Sequence, residues 1–123
     1  CNAYLIDGPT RILIDPGHRG LFEHVQQGLR LLNLGINDID VIICTHAHPD
    51  HIGGNLDDTG RPAFPRARWV MWRREWDFWT TNPDLSGLRD DRFESMMLNS
   101  ARAATLLSSG SREIVVISHS RSI

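Results

Sequence analysis

The stretch Cys44-Thr45-His46-Ala47-His48-Pro49-Asp50-His51-Ile52-Gly53-Gly54 sets three histidines and one aspartate within six residues. Imidazole nitrogen and carboxylate oxygen are donors that zinc, iron and manganese accept. The chemistry on offer is therefore metal binding and, through it, polarisation of a substrate oxygen and activation of water. The competing reading is a solvated polar loop that happens to be rich in histidine. Gly53-Gly54 count against it, because paired glycines let backbone pack closely behind the loop.

The elements around the cluster must bring those donors together. The apolar run Asp40-Val41-Ile42-Ile43 leads into it and reads as a strand. Side chains alternate in an extended segment, so His46 and His48 point the same way. Pro49 fixes its own φ and biases His48 away from helix. The expectation is a strand running into a tight loop with its donors bunched at the tip.

Upstream, Tyr4-Leu5-Ile6 and Arg11-Ile12-Leu13-Ile14 flank Asp7-Gly8-Pro9-Thr10, which is turn chemistry and predicts a β-hairpin. Asp15-Pro16-Gly17 then turns the chain. Between 21 and 34, Leu21, Val25, Leu29 and Leu32 recur at helical spacing, with Gly35 as the expected stop. An unbroken apolar strand at Val41–Cys44 suits the centre of a sheet covered by helices, and the element order reads as α/β layering.

Downstream, residues 55–65 read as a loop, 68–72 as a strand, and Arg73 to Trp79 as the start of a helix or lid. Four tryptophans and Phe78 lie between positions 69 and 79, either as core packing or as an aromatic wall over a pocket. An amphipathic helix is expected at 89–104 and a strand at 113–117.

Composition bounds the rest. A length of 123 residues allows one domain at most, and 41% apolar with 23% charged residues can bury a core. Net charge is −2 with both signs interspersed, so there is no electrostatic case for nucleic acid. No apolar run reaches the length of a membrane span. Cys1 and Cys44 are too few for a disulfide framework, and Cys44, closing an apolar strand, is expected to be a buried thiol. The sequence begins at Cys1 within a strand-like segment and reads as part of a longer domain; it carries no reading of localisation.

H-A-H-P-D-H-I-G-G resembles the signature of the metallo-β-lactamase-fold hydrolases. Asn2-Ala3-Tyr4-Leu5-Ile6-Asp7 and Ile12-Leu13-Ile14-Asp15-Pro16-Gly17 resemble the hairpin that precedes that signature. Arg73-Arg74-Glu75-Trp76-Asp77-Phe78-Trp79 is similar to an insertion of the lactonase and organophosphate-hydrolase-like branch. The resemblance implies an α/β fold of the αββα sandwich type. Residues 1–123 would form its N-terminal half only, with clear likeness over 1–103 and the rest of the domain absent.

It also implies two metal ions, zinc by preference, with iron and manganese accepting the same donors. His46 and His48 would serve one ion, Asp50 and His51 the other, with Asp50 also the first candidate for general acid. The implied activity is hydrolysis of a lactone or other ester-like small molecule by a metal-bound hydroxide. His119 follows an apolar strand and precedes Ser120, as a further histidine ligand does in the family, but the usual Pro-Gly frame is missing. An ordinary surface histidine is the alternative there. No bridging aspartate can be named.

Asp15 would support the metal loop by hydrogen bonding, or simply end a strand. His18 reads as a polar loop residue and His24 as solvated. Ser118, Ser120 and Ser122 have no acid partner for serine-hydrolase chemistry. From other classes, the chain could be a metal-binding but catalytically silent domain, or an incomplete product without function; part of its sheet would lie uncovered and favour self-association.

Overall fold

The computed structural model describes residues 2–81, Asp84 and the backbone of 114–117. The elements are β1 (Tyr4–Ile6), β2 (Ile12–Ile14), α1 (Phe22–Leu31), β3 (Val41–Cys44), α2 (Pro49–Ile52), β4 (Arg68–Trp72), α3 (Arg73–Thr80) and β5 (Ile114–Ile117). They build one five-stranded sheet in the order β1-β2-β3-β4-β5. β1 and β2 form the expected antiparallel hairpin; β2, β3, β4 and β5 run parallel. The expected central strand is central.

Cross-strand register separates the two faces. Leu5, Leu13, Ile42 and Trp69 align on one, as do Cys44 and Met71. That face packs against Leu29 of α1, Trp79 of α3 and the buried Phe64 of the 55–65 loop in a single apolar core. The opposite face carries Tyr4, Ile6, Ile12, Ile14, Ile43 and Val70, none of which belongs to that core. Tyr4 is 59% and Ile6 52% exposed. Among the described residues, one sheet with helices packed on one face makes two of the four layers of an αββα sandwich.

Helix α1 ends earlier than its periodicity suggests, and not at Gly35. Asn33 takes the left-handed conformation at φ 58°, which asparagine tolerates better than most side chains. Leu34 N–H then donates to Leu29 O and Asn33 N–H to Arg30 O, both at 2.9 Å. These close the helix as a Schellman motif, with Leu34 packed on the core beside Leu29. Gly35 is extended (φ −125°, ψ 175°) and opens the next turn instead.

The tip of the histidine loop also differs from a plain loop. Pro49–Ile52 forms a single helical turn with Pro49 at its first position, where a missing N–H costs nothing. His48 precedes it in the extended conformation that proline imposes (φ −70°, ψ 149°). The predicted helix at 89–104 lies outside the described residues.

Candidate metal centre

Parallel pairing of β2 with β3 puts their C-terminal ends side by side, and the site grows from those two ends. Ile14 aligns with Ile43, and Asp15 N–H donates to Ile43 O at 2.9 Å. Asp15 therefore lies next to Thr45, the residue that follows β3. Such strand ends are where open α/β sheets hold ligands.

Asp15 is buried and left-handed (φ 49°), a conformation aspartate adopts more readily than bulkier residues. Its Oδ1 accepts from Thr45 N–H at 2.8 Å and its Oδ2 from the Thr45 hydroxyl at 2.7 Å. Oδ2 also stands 3.0 Å from His51 Nδ1. Asp15 is thus a support behind the histidine loop, not merely the end of a strand.

The hydrogen-bond chain assigns the ring protons. The Thr45 hydroxyl has one proton and gives it to Asp15, so toward His46 Nδ1, 3.1 Å away, it can only accept. His46 then carries its proton on Nδ1, which leaves the ring's lone pair on Nε2. By the same logic His51 donates from Nδ1 to Asp15 and keeps a lone pair on Nε2.

The predicted donors do gather. The rings of His46 and His48 lie 4.6 Å apart between centroids, and those of His46 and His51 4.0 Å apart. His51 Nε2 lies 3.4 Å from Asp50 Oδ2. The pKa of His46 is lowered, first by burial and then by the neighbouring rings of His51 and His48, while Asp15 and Glu75 pull the other way. The neutral ring that results is the form that ligates.

Do these residues fit a metal? Among the described residues, no group of three or more His, Cys, Asp or Glu stands ready as a shell around one ion. The His46 and His51 rings are tilted 46° to one another. Pairwise, the fit is good. His51 Nε2 and Asp50 Oδ2, an imidazole nitrogen and a carboxylate oxygen, lie 3.4 Å apart. Two ligands about 2.0–2.1 Å from a tetrahedral zinc stand about 3.3–3.4 Å apart, which is the spacing found. The donor set fits in kind, and in one pair by spacing.

Gly54 works as the paired glycines suggest. A Cβ there would lie 2.5 Å from the carbonyl oxygen of Pro16, and its N–H donates to Gly17 O at 2.6 Å. The turn after β2 is thereby clasped against the far end of the histidine loop.

Three contributors have no signal in the sequence beyond their residue type. Thr45 orients His46, as above. Glu75 on α3 accepts from Ala47 N–H at 3.0 Å and from the Trp79 indole at 3.1 Å. Asn55 donates to Cys44 Sγ at 3.0 Å. Burial pushes the Cys44 thiol up to about 12 despite that hydrogen bond, so at neutral pH it is neither a thiolate ligand nor a nucleophile.

The aromatic cluster is part core and part surface. Trp69 and Trp79 are core residues, whereas Trp72 and Phe78 are 44% and 47% exposed. His18 caps a turn, its Nδ1 accepting from Gly20 N–H at 3.0 Å, and His24 is exposed on α1. His119 lies outside the described residues.

A sequence profile described as the Metallo-beta-lactamase superfamily matches residues 1–90. One probable metallo-hydrolase of Methanocaldococcus jannaschii is 52% identical over 50 residues, 41% of this chain and 23% of the relative. A second from the same organism is 34% identical over 83 residues, 68% of this chain and 38% of the relative. Among solved structures, AidC, a dizinc quorum-quenching lactonase, superposes with a TM-score of 0.80 at 22% identity, over 99% of this chain and 44% of its own. The hydrolase AbOPH, of the beta lactamase superfamily, gives 0.68 at 28% identity, over 85% of this chain and 37% of its own. The chain spans less than half the length of each of these proteins.

Proposed function

Because the chain belongs to the metallo-beta-lactamase superfamily, we propose that it is part of a metal-dependent hydrolase acting on a lactone or other ester-like small molecule. The observation that carries this reading is the pair Asp50–His51, an imidazole nitrogen and a carboxylate oxygen at ligand spacing beside the rings of His46 and His48. His46 and His48 would hold one ion and Asp50 with His51 a second, with His119 as a further candidate. Zinc is favoured by the likeness to AidC, named as a dizinc lactonase. When bound, such ions polarise a carbonyl oxygen and lower the pKa of water from 15.7 to about 7.

The chain's own residues have separate tasks. Asp15 holds Nδ1 of His51 and Thr45 holds Nδ1 of His46, so both rings turn Nε2 outward. Asp50, with half of its side chain exposed, would relay a proton, taking up the one that the attacking water gives up and passing it to the departing alkoxide. Trp72 at the end of β4, beside the strand that carries the cluster, offers an apolar surface to a substrate chain.

Four ligands divided between two ions leave half of each tetrahedral shell to water. The 123-residue chain is therefore expected to bind zinc weakly and to turn over slowly. Initial rates on a lactone, a β-lactam and a phosphodiester, with and without chelator, test this. A small chelator-sensitive rate, largest for the lactone, is expected; a chelator-resistant rate or a preference for the phosphodiester would refute the reading. Zinc binding with no turnover of any substrate is the outcome of a catalytically silent domain.

The apolar face of Tyr4, Ile6, Ile12, Ile14, Ile43 and Val70 supports self-association of this chain. Sedimentation is expected to show mass rising with concentration, and Ile14→Lys is expected to suppress the rise. A chain that stays monomeric throughout would remove the proposal.

A further inference from the structure

Helix α3 reaches the histidine loop through one carboxylate. Glu75, half-buried on that helix, accepts at Oε2 from the N–H of Ala47, 28 residues away in sequence. The same oxygen accepts from Trp79 Nε1, and Trp79 is locked in the core. Ala47 is fully buried and stands between His46 and His48. Its N–H belongs to the peptide plane joining His46 to Ala47, so holding that N–H fixes the backbone from which both rings project. Thr45 is held by Asp15. The two carboxylates thus hold two backbone N–H groups of one loop, those of Thr45 and Ala47.

We propose that Glu75 is a positioning residue for the metal site: by holding the Ala47 amide, clamped in turn by the Trp79 indole, it sets the directions of His46 and His48. This rests on the metal-site reading above, but it makes a claim about the metal-free chain as well. A charged acceptor suits the task, because hydrogen bonds to carboxylates are shorter and stronger than neutral ones. Outer residues that orient ligands typically govern metal affinity by about 10–100-fold.

The test compares the wild-type chain with Glu75→Ala, Glu75→Gln and Trp79→Phe. Amide hydrogen exchange at Ala47 is followed without metal, and zinc affinity together with the cobalt(II) absorption spectrum is followed with it. Glu75→Ala is expected to lose protection at Ala47 by about tenfold or more, beyond any change at α1 amides such as Leu29. Its zinc affinity should fall by about 10–100-fold and its cobalt spectrum should change. Glu75→Gln, whose amide oxygen can still accept, should restore both, and Trp79→Phe should leave Ala47 more protected than Glu75→Ala does.

If Glu75 serves only to pack α3, Ala47 exchange will follow global stability in every variant and the cobalt spectrum will not change; that overturns the proposal. Should the wild type bind no zinc while Glu75→Ala still frees Ala47 selectively, the positioning claim stands and the metal reading fails instead.

Discussion

Gly54→Ala is expected to destabilise the chain by about 3 kcal/mol or more, the upper end of the usual overpacking cost. The new Cβ would meet the Pro16 carbonyl oxygen at 2.5 Å, with its carbon at 2.9 Å and Gly17 O at 3.1 Å. All three are backbone atoms, and the Pro16-Gly17 turn cannot step aside, because Asp15 beside it is bonded to Ile43 and Thr45. Gly17→Ala makes the contrast. Nothing lies within 4 Å of its Cβ and only its φ of 90° is strained, so a cost of about 1–2 kcal/mol is expected. Urea unfolding of both variants measures the difference. Equal midpoints would mean that the close approach at Gly54 carries no weight.

Asp15→Ala strips the support from behind the site. Thr45 N–H and Oγ1 lose their acceptor, and a part-buried group left unpaired costs about 1–3 kcal/mol. Asp15→Asn separates the structural part of that loss from the chemical part. Asparagine tolerates the left-handed backbone and its oxygen can still accept from Thr45 N–H. Its NH₂ would stand where Oδ2 faces both the Thr45 hydroxyl and His51 Nδ1, so the hydroxyl turns its proton to His46 Nδ1 and Nδ1 of His51 must accept. Both ring protons then move to Nε2, which on His51 is the atom that faces Asp50. A near-native unfolding midpoint is expected, with the tautomer reversed in ¹⁵N spectra of His51 and zinc affinity lowered by about 10–100-fold. A His51 tautomer unchanged in Asp15→Asn would show that Asp15 does not direct this ring.

Much of this arrangement is legible in the sequence, because the signals are local. Alternating and continuous apolar runs mark the strands at Tyr4–Ile6, Ile12–Ile14, Val41–Cys44 and Arg68–Trp72. The i, i+2 histidines before Pro49 mark the donor cluster. The end of α1 is misread where two stop signals compete: Gly35 is the stronger by type, but Asn33 wins because it lets Leu34 fold back onto Leu29. The roles of Asp15 and Glu75 depend on partners 30 and 28 residues away, and no short-range pattern encodes those pairings. Thr45 sits inside the motif, yet its role appears only once Asp15 takes its proton. The tryptophans show the same limit, since alternation along β4 buries Trp69 and exposes Trp72 without saying what either faces.

The claim on which the rest depends is that His46 and His48 form a metal-binding pair. Zinc competition against a chromogenic chelator measures it directly, on the wild-type chain, His46→Ala, His48→Ala and the exposed control His24→Ala. Removing a ligand should cost at least as much as removing a residue that orients one, so each of the first two variants should bind zinc about tenfold more weakly or worse. His24→Ala should match the wild type. A wild-type chain that takes up no zinc, or one whose affinity is the same with His46 and His48 as without them, would mean that this cluster is not a metal site.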